Sequence, residues 1–178
     1  MITPAERERA IKQLDQTRER LLSSIQGLTP GQLLYKPEPG RWSVAETIEH
    51  VIVVEERLVG AIERVLQKPV DFTKQHSIED SELIRQAGTV VEPIQGPAQT
   101  LPGSRWPAEE LAERFETARR RTRHFTEATN EDLRHHFFEH PLFGDLDCYQ
   151  WLLLIGAHCS RHTAQSEAVK ASPDFPLH

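Results

Sequence analysis

The stretch Trp151-Leu-Leu-Leu-Ile155-Gly-Ala-His158-Cys-Ser-Arg-His162-Thr-Ala-Gln165-Ser-Glu-Ala-Val169 decides how the chain is read. At about 100° per residue, Trp151, Leu154, Ile155, His158, His162, Gln165 and Val169 fall on one face of a helix. The helix is expected to begin near Asp147, run to about Ala171 and stop at Pro173. Two imidazoles one turn apart on that stripe, with side chains ~5–6 Å from each other, are placed to share one metal ion. Taken singly, each could instead be a core histidine satisfied by a structural hydrogen bond.

Working outward, apolar spacing of three and four recurs in three more segments, and no run of strict alternation marks a half-buried strand. The first extends from about Pro4 to Leu28 on a stripe of Ile11, Leu14, Leu21, Ile25 and Leu28, broken by Arg18 and stopped by Gly27, Pro30 and Gly31. Ser43-Val-Ala-Glu46 is a capping box that opens the second, which buries Val44, Ile48, Val51, Leu58, Ile62 and Val65 and ends at Lys68-Pro69. From Pro69 to Trp106 the pattern is lost except for a short helix around Ile78 to Ala87, and Pro93, Pro97, Pro102 and Gly103 keep the rest irregular. So long a connection suits a crossover or the cover of an active site. Pro107 fits the first position of a third helix with an acidic first turn, Glu109 and Glu110, and a face of Ala108, Leu111, Phe115, Ala118, Thr122 and Phe125. The expectation is all-α: one domain over residues 1–178, a four-helix bundle with a long crossover connection between helices 2 and 3.

With 178 residues, 38% of them apolar, the chain can line one continuous core. Lys and Arg total 21 against 27 Asp and Glu, a net charge of −6, which argues against nucleic acid and anionic membranes because both select a basic face. The longest apolar run, Trp151 to Ile155, is far short of the ~20 residues that cross a bilayer. Glu6-Arg-Glu-Arg9 lacks the apolar core of a secretory signal. Cys148 and Cys159, on one helix, stand ~16 Å apart along its axis, out of disulfide reach, and two free thiols suit a cytoplasmic protein.

His50, about a turn and a half into the second helix, supplies a third imidazole. If the second and last helices run antiparallel, it lies level with the His158/His162 pair. Three neutral imidazoles would bind Zn²⁺, Ni²⁺, Fe²⁺ or Co²⁺ and leave positions open for water or substrate. Glu55 interrupts the stripe between Val51 and Leu58. It is either a buried partner for an arginine such as Arg18, or a carboxylate that orients a ligand imidazole or takes a proton. Gln165, one turn past His162, could bind a ligand histidine or a cofactor, or merely sit at the rim. Cys159 points away from a shared metal and reads as a small buried hydrophobe. His135, His136 and His140 cluster in the preceding loop as surface or substrate-side groups. Arg114, Arg119, Arg120, Arg121 and Arg123 circle the third helix, mostly as a solvated face, with one or two available to meet an anionic thiol cofactor.

Arg41-Trp-Ser-Val-Ala-Glu46 before His50, Glu55, and His158-Cys-Ser-Arg-His162-Thr-Ala-Gln165 resemble the motifs of the DinB/YfiT-like superfamily of bacterial metal-binding helical bundles. The likeness continues through Leu28-Thr-Pro-Gly-Gln-Leu33 and His140-Pro-Leu-Phe-Gly144, but not from Pro69 to Trp106. It implies His50, His158 and His162 as metal ligands. It also implies a small-molecule reaction, foremost S-transfer using a low-molecular-weight thiol such as bacillithiol or mycothiol. Hydrolysis by metal-activated water and non-catalytic binding of a stress-related metal or ligand are the alternatives. A homodimer is expected from the resemblance and from Val53, Val54 and Val59, which widen the apolar surface of the second helix.

Overall fold

Ser43 caps its helix as expected: its hydroxyl accepts from the Glu46 amide at 3.1 Å, and the Glu46 carboxylate accepts from the Ser43 amide at 2.9 Å. The computed structural model describes residues 1–89 and 98–177. The helix so capped, α3 (Val44–Val65), follows α1 (Pro4–Ile25) and the one-turn α2 (Pro30–Leu34). After it come α4 (Asp80–Thr89), α5 (Leu111–Ala128), entered through a 3-10 turn at Ala108–Glu110, and α6 (Cys148–Lys170). Asp147 caps α6 by accepting from the Gln150 amide at 2.8 Å. The short α4 lies close to the helix expected near Ile78 to Ala87. Pro93 and Pro97 fall outside the described residues.

Side-chain contacts fix the directions of the four long helices. Gln13 donates to the Leu153 carbonyl at 3.2 Å and Lys170 to the Ser24 carbonyl at 2.6 Å, so α1 and α6 run parallel. Arg7 meets Thr129 and Asp15 meets Arg123, which makes α1 and α5 antiparallel. Glu55 meets Arg119 and Glu63 meets Arg121, so α3 and α5 are parallel. The amino-terminal half of α3 shares a core with the carboxy-terminal half of α6, so that pair is antiparallel. The order is therefore up, down, down, up, and a parallel α3 and α5 require the chain between them to return the length of the bundle.

Two apolar clusters fill the interior. Leu14, Val59, Ile62, Leu83, Leu146 and Leu152 are packed at the end where α6 begins, and Leu21, Val44, Ile48, Val51, Leu111, Phe115 and Val169 at the other. Each such side chain, fully buried, stabilises the fold by ~1.5–3 kcal/mol before entropy is counted. Helix α6 is buried on nearly every face, because α1, α3 and α4 pack around it. At Gly156 a Cβ would stand 2.9 Å from the Gln13 side chain, so only glycine lets that amide lie across α6.

Three expectations change. Phe137–His140 and Gly144–Asp147 form an antiparallel pair, β1 and β2, with Phe138 opposite Leu146 and His140 opposite Gly144. Strands of four residues are too short to show alternation, and Gly144 closes the hairpin at φ +68°. Val53 and Val59 are buried within the chain and Val54 is half-buried, so they leave no wide apolar face for a second copy. Arg119 is fully buried, where the sequence alone groups it with the mostly solvated arginines of α5. No helix of the described residues is long and apolar enough to cross a membrane.

Candidate metal centre

Helix α3 carries His50 and α6 carries His158 and His162. Antiparallel packing brings the three rings together, with centroids 5.1 Å apart for His50 and His158, 4.7 Å for His50 and His162, and 4.3 Å for His158 and His162. One nitrogen from each lies within 4.8 Å of the others. Trp42, the residue before the capping serine, walls the cluster with its ring 4.8 Å from that of His50 and stacked at 6.2 Å on that of His162.

His50 Nδ1 lies 2.7 Å from the Thr100 carbonyl oxygen. A carbonyl only accepts, so Nδ1 carries the proton and Nε2 keeps its lone pair, the tautomer a metal-binding imidazole adopts when an outer partner fixes it. The neighbouring Glu49, buried at 3% exposure, accepts from the Gly103 amide at 2.6 Å, the Arg105 amide at 2.9 Å and the Arg105 guanidinium. Ser104 lies between those two amides at φ +53°, a left-handed conformation that lets both point at one carboxylate. Two consecutive residues of α3 thus hold the end of the crossover over the site. Glu49 was missed in the sequence, since its partners lie more than fifty positions away.

Burial pushes His162 down to about 2, helped by the charge of Arg161 and the nearness of His50, with Gln165 a weak opposing influence. His158 is pushed well below its ordinary value by burial first, then by His162 and His50. His50 is lowered by burial against the pull of the Thr100 carbonyl. All three rings are therefore neutral near pH 7, the state in which imidazole ligates a metal. His162 is 3% exposed, and among the described residues neither of its ring nitrogens has a partner in hydrogen-bond geometry, with the Gln165 side chain only near enough to act weakly on it. Leaving such a group unpaired costs ~1–3 kcal/mol, a deficit that coordination would remove. The donor set thus fits a divalent ion.

The remaining candidates separate. Glu55 accepts from Arg119 Nε and the second guanidinium nitrogen at 2.9 Å each, and from the Thr122 hydroxyl at 2.7 Å. The pairing alternative therefore describes it, with Arg119 in place of Arg18, which bonds Glu116. Gln165 is exposed beside the cluster. Cys159 is buried, its thiol donating to the Thr17 carbonyl at 3.7 Å, and burial pushes its pKa up. His136 is tied by its two nitrogens to the carbonyls of Asp132 and Lys68, and His135 to the Asp132 carboxylate. His140 accepts from the amides of Leu142 and Phe143 at Nδ1, lies 5.2 Å from Trp151, and is the hairpin histidine whose charge would reach His158.

A model of the DinB superfamily matches residues 13–166. The uncharacterized protein YuaE of Bacillus subtilis (strain 168) is 24% identical over 152 residues, covering 83% of this chain and 89% of that protein. Among solved structures, YfiT from Bacillus subtilis, described as "a probable metal-dependent hydrolase with an unusual four-helix bundle topology", aligns with a TM-score of 0.56 at 13% identity over 96% of this chain and 89% of that one. TT2238, described as a four-helix bundle protein, aligns with a TM-score of 0.50 at 24% identity over 93% of this chain and 99% of that one.

Proposed function

Because the chain belongs to the DinB superfamily, we propose that it is a metal-dependent enzyme acting on a small molecule, with one divalent ion held by His50, His158 and His162. The observation that carries this reading is the buried His162, with neither ring nitrogen in hydrogen-bond geometry with a partner among the described residues, inside a group of three neutral imidazoles. Three nitrogen ligands suit Zn²⁺ or Ni²⁺ best, with Fe²⁺ and Co²⁺ also accommodated, and they leave coordination positions for a substrate. A bound ion would supply Lewis acidity, lowering the pKa of a thiol or a water that reaches it.

The protein's part is to bind and orient. Thr100 fixes the His50 tautomer, Trp42 walls the cluster against His50 and His162, and Glu49 anchors the end of the crossover. Among the described residues, neither buried carboxylate near the triad is free to serve as a general base, since Glu49 is engaged by the crossover and Glu55 by Arg119. This favours a nucleophile that loses its proton readily, so S-transfer from a low-molecular-weight thiol to an electrophile is the leading reaction. In this reading Gln165, exposed beside the cluster, would contact the incoming thiol. Hydrolysis is the second reading, favoured by the fold shared with YfiT and its description as a probable hydrolase. Non-catalytic metal or ligand binding is the outcome if neither reaction is found.

Elemental analysis of the purified protein is expected to give about one divalent ion per chain, lost in His158→Ala and His162→Ala with helicity by circular dichroism intact. Transfer of a thiol to monochlorobimane should need the metal and saturate. Full metal retention in either variant would overturn the site, and hydrolysis of simple esters or amides without any thiol transfer would exchange the first reaction for the second.

A further inference from the structure

Arg161 stands between the two histidines of α6, and the register places it about 60° round the helix from His158, on the edge shared with Gln165. It is half-buried, and its charge acts on all three imidazoles, lowering each. Among the described residues it has no hydrogen bond and no ion pair. Every other buried or half-buried arginine described has an acceptor: Arg7 the Thr129 carbonyl, Arg18 Glu116, Arg119 Glu55, Arg123 Asp15, and Arg134 Glu6, Asp80 and Asp147. A guanidinium carries five donors in a planar fork that matches a carboxylate, and withdrawing it from water without an acceptor is unfavourable. Among the described residues, such arginines find acceptors everywhere except beside the triad.

We propose that Arg161 is a recognition residue for an anionic substrate, and that the molecule bound at the three-histidine site carries a carboxylate which the guanidinium receives bidentately. The proposal rests on the metal reading above and adds the substrate class: one positive charge, close enough to act on all three imidazoles, selects a small acid over its neutral analogue. Gln165, one turn further along the same edge, offers a neutral donor for the remaining polar atoms of such a ligand. The helix turn that holds the ion thus also reads the substrate's charge.

The test compares 3-mercaptopropionate with 3-mercaptopropan-1-ol, which share a thiol and chain length and differ in charge. Co²⁺-loaded wild type and Arg161→Gln are titrated with each by calorimetry, and the cobalt–thiolate absorption band reports thiol arrival independently. The carboxylate is expected to bind wild type about tenfold tighter, as a charge-assisted hydrogen bond permits. In Arg161→Gln the ratio should fall to near one with cobalt content and the band retained, and Arg161→Lys should restore part of it. Arg161→Gln is also expected to melt no lower than wild type, because it removes an unpaired charge. Equal affinities in wild type, or a preference that survives Arg161→Gln, would overturn the proposal while leaving the metal site standing. Failure of wild type to take up Co²⁺ would instead overturn the metal reading. Carboxylate recognition is then judged on the metal-free protein, where a thermal shift with 3-mercaptopropionate abolished by Arg161→Gln upholds it and no shift overturns it.

Discussion

His50 and Thr100, fifty positions apart, meet at 2.7 Å between a ring nitrogen and a backbone carbonyl, so the crossover itself orients the α3 imidazole. The site is consequently built by three parts of the chain: the start of α3, the middle of α6 and the 3-10 turn Ala98–Thr100 in the connection between α3 and α5.

Releasing that connection should loosen the metal without unfolding the bundle. Glu49→Gln keeps the size of the side chain but removes the charge that gathers the Gly103 and Arg105 amides and the Arg105 guanidinium. Outer partners of a ligand are worth ~10–100-fold in metal affinity. A fall of that order, measured by competition with a chromophoric chelator, is expected with an unchanged circular dichroism spectrum; affinity equal to wild type would show that the crossover does not hold His50.

The Arg119–Glu55 pair should matter to stability and little to metal. Both side chains are at most 2% exposed, and Arg119 also donates to the Leu14 carbonyl and the Thr17 hydroxyl. Removing one partner strands the other's charge, at a cost of ~3–5 kcal/mol. Urea unfolding of Glu55→Leu and Arg119→Met should each show a loss of that size, with metal content near wild type. Metal loss from folded Glu55→Leu would return the carboxylate to the site.

His140 predicts an acid sensitivity. Burial pushes its pKa down to about 4, and its Nδ1 is committed to two amides. Between the ordinary histidine value near 6.5 and about 4 the unfolded chain takes up a proton that the folded ring refuses. Stability from this group is therefore full above the ordinary value and declines as pH falls through that window, by at most ~1.4 kcal/mol per pH unit. In chelated protein, His140→Asn should flatten the dependence of the urea midpoint over this range; an unchanged slope would assign the acid sensitivity elsewhere.

Much of this was legible in the residues. Ser43 and Asp147 announce α3 and α6 because capping is local, and the i, i+4 spacing of His158 and His162 needs only a helix to become a pair. His50 was found because antiparallel packing puts residues near one end of the bundle level with each other. Arg119 was not found: within Arg119-Arg120-Arg121 nothing distinguishes a core guanidinium from two exposed ones until Glu55 and Thr17 are in place. Glu49 stayed hidden for a related reason, since its partners belong to a segment without periodicity. Arg161 sits inside the motif, but only the lack of an acceptor among the described residues marks it.

The parallel course of α3 and α5 also sets the order in which the molecule can assemble. His50 and His162 are separated by more than a hundred residues, and the segment returning from α3 to α5 must close before Thr100 can reach His50. Such closures come late, after the helices and their nearer contacts have formed, because chain entropy is lost before the distant contact compensates it. Whatever binds at the triad is therefore expected to act beyond the folding barrier. It lengthens the lifetime of the native state by slowing escape, while the rate at which new chains arrive there stays the same.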